Sequence, residues 1–155
     1  MRKALSAILI VAFLFGVGLS RISADPNVDD NRVAIKGYDP VSYHEGVPQK
    51  GGKNLTVTHD GAVYHFHDQE NRDAFSQDPE KYAPAYGGWC AWAMLEGDKV
   101  PIHPERYKVI EGKLYLFYDQ FFINTLEKWN RLAEKETEAR LVEKADENWE
   151  KLNAM

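Results

Sequence analysis

Cys90 is the only thiol in a chain of 155 residues, and five histidines accompany it. Those residue types decide which chemistry is open. One cysteine can form neither an internal disulfide nor a CxxC zinc or redox motif, because each needs two thiols of the same chain. Any metal centre must therefore draw on imidazole and carboxylate beside that single sulfur. Cys90 follows Gly87-Gly88 where a short helix is expected, and the positive end of a helix dipole favours thiolate, which suits a soft ligand or a nucleophile. Against this stands a small buried hydrophobe between Trp89 and Trp92, since free cysteine is among the most buried residue types. His65 and His67 alternate on an expected strand, so their rings project from one face about 7 Å apart, a usable spacing for one ion. His103 sits on a loop held by Pro101 and Pro104, while His44 and His59 read as surface residues. Cys90, His65, His67 and His103 are thus the candidate metal ligands. Thiolate with imidazole, and with the Met94 thioether one helical turn after Cys90, is a soft set that suits copper before zinc.

Other chemistries have less to stand on. The chain has no GxSxG, HExxH, phosphate loop or dinucleotide fingerprint. Catalysis is the weaker alternative: a thiol-dependent enzyme using Cys90 lacks a visible third group to orient a Cys and His pair. A noncatalytic module that binds a small molecule or a protein in an aromatic cleft around Trp89 and Trp92 is the other alternative. With 19 Lys+Arg against 24 Asp+Glu, the basic face that nucleic acid requires is missing. Asn54-Leu55-Thr56 is a glycosylation sequon with meaning only in a eukaryotic secretory pathway.

These residues need elements to position them, and 44% hydrophobic with 28% charged residues is the composition of a chain that folds. Residues 1–24 read as a signal peptide: a basic start at Arg2-Lys3, an apolar run from Ala4 to Leu19, and a small residue, Ala24, before Asp25-Pro26. Its removal takes away Arg2, Lys3 and Arg21 and no acid, so the remaining chain is the more acidic. A periplasmic or secreted location follows, with membrane attachment only if the segment stays uncleaved, and with a metal ion and a cell-envelope protein as possible partners. Residues 25–32 are an acidic leader. From 33 to 52, glycines and prolines allow loops pinned by Tyr38, Val41 and Tyr43 but no helix. Asp60-Gly61 and Glu111-Gly112 each separate two β-rich runs as a hairpin turn does. The first places Val57 opposite Tyr64 and His59 opposite Ala62, with Thr56, Thr58, Val63, His65 and His67 on the outer face. Asp68 caps a helix of about two turns that carries Phe75 and stops at Asp78-Pro79, and a second short helix is expected between Trp89 and Glu96. Beyond Phe121 the stripe Phe122, Leu126, Trp129 and Leu132 or Ala133, and then Val142, Ala145, Trp149 and Leu152, predict one helix with a bend, or two helices meeting, near Glu134 to Glu138. The fold class is α+β, a small antiparallel sheet from two hairpins with short helices. Its domain spans 33–118, and a C-terminal helical extension over 119–155 packs on it.

The segments YDPVSY at 38–43, VYHF and ENRDAF within 63–75, DPEKYAPAYGGWCAWAM at 78–94, HPERYKVIEGKLYLFY at 103–118 and KADENWEKL at 144–152 resemble the exported branch of the YHS-domain family. The likeness runs from Val33 to Leu152. It implies a compact α+β fold and a metal-associated role. The cysteine-bearing forms of the wider family place thiols around the aromatic strand and the helix after it, where this chain has His65, Phe66, His67, Asp68, Gln69 and Glu70. Their thiol ligand set is therefore absent here.

Overall fold

Asp60-Gly61 and Glu111-Gly112 each turn the chain with two consecutive residues in the left-handed region, at φ 46° and 74° in the first and 50° and 79° in the second. That geometry matches the twist of antiparallel strands, and it fixes the register of both hairpins. The computed structural model describes residues 25–155, so the expected signal segment lies outside the described residues. Strands β1 (Gly52–His59) and β2 (Ala62–Phe66) flank the first turn, and Val57 lies opposite Tyr64 and His59 opposite Ala62, as the sequence predicts. Strands β3 (His103–Ile110) and β4 (Lys113–Phe117) flank the second. Each hairpin is its own two-stranded sheet rather than half of a single one.

Helix α1 (Gln69–Gln77) starts at Asp68, whose side chain accepts from the Asn71 N–H, and α2 (Pro79–Tyr82) follows at once with Pro79 in its first turn. The expected helix after Gly88 is the four-residue α3 (Ala91–Met94). Helices α4 (Thr125–Glu136) and α5 (Glu138–Asn153) meet at Thr137, which breaks the run at φ 76° inside the predicted window. Phe122 departs from the predicted stripe. It and Phe121 form the exposed left-handed turn between β5 (Asp119–Gln120) and β6 (Ile123–Asn124), ahead of the helix. The leader is also more engaged than expected. Val28 bridges Ala34, Val33 bridges Val63 in parallel, and the Asn27 N–H donates to the Gly87 carbonyl at 2.9 Å.

The two halves of the chain repeat one backbone course. A left-handed run at Ile35, Lys36 and Gly37 (φ 51°, 53° and 80°) recurs at Tyr86, Gly87 and Gly88 (56°, 59° and 84°). The Asp39 N–H donates to Gln49 as the Cys90 N–H donates to Val100, and Gly46 closes on Tyr43 as Gly97 closes on Met94. A hairpin follows in each half, with its register interrupted at the same place, between Gly52 and Thr56 and between His103 and Tyr107. Each hairpin is then filled by one ring from the next long helix. Phe75 packs on Tyr64 and Phe66, and Trp129 packs on Tyr115 and Phe117. Strand β4 is buried on both sides. Leu114 and Leu116 join the first core with Tyr43, Phe66 and Cys90, while Tyr115 and Phe117 join the second with Met94, Trp129 and Leu141.

Candidate metal centre

Cys90 is completely buried at the N-terminal cap of α3. Its sulfur accepts from the Tyr118 N–H at 3.4 Å and lies 3.4 Å from Thr125 Oγ1. Thr125 spends its only hydroxyl proton on the Tyr118 carbonyl at 2.9 Å, so the thiol donates to it and a protonated sulfur fits the contact. In the first half the same backbone position is Asp39, also fully buried. One of its oxygens accepts from the Val41 N–H at 2.9 Å, and the other accepts from the His67 N–H at 3.1 Å, His67 Nδ1 at 2.8 Å and Asn71 Nδ2 at 3.0 Å. Both residues therefore fasten the loop to the residue after the second hairpin strand and to the start of the next long helix. That shared duty explains a buried Cys90 without a metal. Iodoacetamide should label it only when denaturant opens the core, and adding a strong chelator to folded protein should leave it protected. Rapid labelling released by chelator would instead mark it as a metal thiolate.

The YGGWCA motif that carries much of the family resemblance is a structural joint. Gly87 takes a left-handed φ where an added Cβ would meet Trp149 and the Pro26 backbone at 3.3 Å. The Tyr86 hydroxyl donates to Asp146 at 2.8 Å, and Asn148 Nδ2 donates to the Met94 and Leu95 carbonyls that end α3. The ADENW residues of α5 thus dock this helix on the turn.

The predicted histidines go to separate places. His65 is nearly buried on β2 and has no hydrogen-bond partner among the described residues. His103 opens β3, and its Nδ1 accepts from the Glu105 N–H at 3.3 Å. His67 lies past the end of β2 with Nδ1 on Asp39 at 2.8 Å and Nε2 on Asp68 at 2.7 Å. A carboxylate on each nitrogen makes both of them donors, so the charged imidazolium is the form that fits. The hydrogen bond to Asp39 first, and the Asp68 charge after it, raise its pKa above the usual histidine value against a smaller desolvation effect. A pKa higher folded than unfolded means that this stabilisation is complete below about pH 6.5, the unfolded value, and is lost as pH rises through the folded value. Urea midpoints measured from pH 6 upward should therefore fall less steeply in His67→Gln than in the parent protein.

Among the described residues, the one group of three His, Cys or carboxylate donors within mutual reach contains none of Cys90, His65, His67 or His103. It is His59, Asp60 and Glu80, whose ligand atoms lie within 4.8 Å of one another. His59 Nε2 is 3.5 Å from Asp60 Oδ2 and 3.1 Å from Glu80 Oε1. Three local features assemble it. His59 ends β1 with its ring edge-on to Phe75, Asp60 is the first turn residue, and Glu80 stands in the first turn of α2, which Pro79 starts and Asp78 caps. Lys113 Nζ, from the second hairpin, donates to the Glu80 carbonyl at 2.9 Å. The group opens on a cleft of about 340 Å³ between the two halves, with Tyr64, Tyr86, Tyr115 and Asp146 in its walls. Burial pushes all three phenols up, that of Tyr115 to about 12, so they face the cleft as neutral hydroxyls.

One imidazole and two carboxylates make a borderline-to-hard donor set, suited to zinc and poorly suited to a soft ion. Three protein ligands leave a fourth tetrahedral position for water or a small ligand from the cleft. The second half offers no copy of the set, since Ile110 and Glu111 stand where His59 and Asp60 do. The sequence reading missed the group. His59 looked like a surface residue, Asp60 like a turn residue, and Glu80 reaches them only because Asp78-Pro79 folds α2 back beside the hairpin. A histidine beside an Asp-Gly turn was the one available signal. Comparison with protein-family models, characterised proteins and solved structures finds no match to this chain.

Proposed function

We propose that this chain is an extracytoplasmic metal-binding module that holds a zinc-like divalent ion on His59, Asp60 and Glu80 and presents its open position to the tyrosine-lined cleft. The observation that carries the reading is the convergence of one imidazole and two carboxylates at the mouth of that cleft. The metal-associated role implied by the resemblance to YHS-domain proteins supports it. The expectation of copper rests on the Cys90 thiol, whereas the donors that converge are one imidazole and two carboxylates, which suit zinc. The reading is binding or delivery of the ion rather than catalysis. The extracytoplasmic location rests on the signal-like layout of residues 1–24.

Calorimetric titration of the purified protein with zinc tests this directly. A single site is expected, weakened at least about tenfold by His59→Gln and by Glu80→Gln, because each removes one of three ligands. Cys90→Ser should bind as the parent does. Affinity unchanged in both ligand variants, or lost in Cys90→Ser alone, would defeat the reading.

A further inference from the structure

On the outer side of the first hairpin, a second cleft of about 960 Å³ is lined by Lys36, Lys50 and Lys53, with His65 in its floor and Val33, Val63 and Ile102 among its apolar walls. Its charge is opposite to that of the chain, which has 19 Lys+Arg against 24 Asp+Glu. None of the three lysines has a carboxylate partner among the described residues, and the nearest engagement is Lys50 Nζ over the Tyr38 ring at 5.9 Å. The lining has one acid, Asp29, and its Oδ1 is occupied by the Asn31 and Val33 N–H groups at 2.9 and 2.8 Å.

Two features indicate that this cleft is shaped for a ligand. His65 is only 9% exposed, yet its ring has no hydrogen-bond partner among the described residues. Its ring lines the cleft with both nitrogens free to hydrogen-bond an occupant. Gly37 lies beside it, and an added Cβ there would sit 3.4 Å from His65 Nδ1. The second feature is backbone strain. Lys36 holds φ 53°, a left-handed conformation that the other half of the chain gives to glycine at Gly87. A long cationic side chain thus stands at a backbone position that favours glycine.

We infer that this cleft binds a small organic anion carrying two or more negative charges, with its anionic head among Lys36, Lys50 and Lys53, hydrogen-bonded by His65, and its apolar body against Val33, Val63 and Ile102. Lysine binds such groups as a point charge, so a phosphate monoester and a polycarboxylate are both admissible sources of the charge. The site is separate from the metal centre and does not depend on it. The cleft concentrates positive potential on an acidic protein, and binding driven by it weakens as salt rises.

Phenyl phosphate and citrate, each titrated into the full protein in the presence of a chelator, supply the two head groups, and benzyl alcohol supplies an uncharged control. Saturable binding of at least one anion is expected, with no binding of benzyl alcohol. Lys36→Gln, Lys50→Gln and Lys53→Gln should each reduce affinity about three- to tenfold and flatten its dependence on salt. His65→Phe keeps the ring volume and should lose affinity without the change in salt dependence. If that buried variant fails to fold, the exposed lysine variants decide alone. Phenyl phosphate alone would identify a phosphate site and citrate alone a carboxylate site. Binding of neither anion, or binding unchanged in the triple lysine variant, would overturn the inference.

Discussion

Asp39→Ala is expected to lower stability by about 3–5 kcal/mol, the range for removing one member of a buried, charge-assisted cluster. The carboxylate is fully buried and accepts from the Val41 N–H, the His67 N–H, the His67 ring and the Asn71 side chain. Alanine leaves four donors without their acceptor, and the half-buried His67 ring keeps only Asp68 as a carboxylate partner. Asp39→Asn should cost less, because it keeps the volume and one accepting oxygen, although its NH2 then faces donors on the other side. Urea unfolding followed by tryptophan fluorescence reads both differences. A loss below about 1 kcal/mol in Asp39→Ala would show that this cluster does not hold the loop.

Trp129→Ala should cost a similar amount, about 3–5 kcal/mol, for a different reason. Its ring is fully buried, stacked at 27° on Tyr115 and edge-on to Phe117 at 5.5 Å, and it is the largest side chain between β4 and α4. Alanine opens a cavity lined by rings that packing with α5 holds in place. The buried indole N–H has no acceptor among the described residues. Trp129→Phe removes that orphan donor while keeping most of the ring contact, so its cost should stay near 1–2 kcal/mol. A Phe variant as unstable as the Ala variant would contradict the account in which ring packing carries most of the cost.

Local rules made much of this architecture legible in the sequence. The Asp60-Gly61 and Glu111-Gly112 turns, the Asp68 cap and the break near Thr137 each follow from residues within a few positions of one another. The repeat of one backbone course was not legible. Tyr64 and Phe66 recur as Tyr115 and Phe117, and Glu45-Gly46 as Glu96-Gly97, but between them the buried acceptor changes from Asp39 to Cys90 and the filling ring from Phe75 to Trp129. His65 was expected on an open strand face. The stretch Arg32 to Ala34 instead runs beside β2, the Val63 N–H donating to the Arg32 carbonyl at 2.7 Å and the Ala34 N–H to the Val63 carbonyl at 2.9 Å, and His65 is nearly buried next to it. The convergence of His59, Asp60 and Glu80 was hidden because Glu80 comes from a different element, and only tertiary packing brings it to His59. The α+β class survives these differences, since it depends on the turns and periodicity rather than on where single side chains point.

Anomalous diffraction at the zinc edge, from crystals of the protein grown with one equivalent of zinc, tests the central claim most directly. The account predicts one strong peak within about 2.0–2.2 Å of His59 Nε2 and of an oxygen from each of Asp60 and Glu80, with no peak at Cys90. A principal peak on the Cys90 sulfur, or none at His59 in crystals whose protein binds zinc in solution, would contradict it.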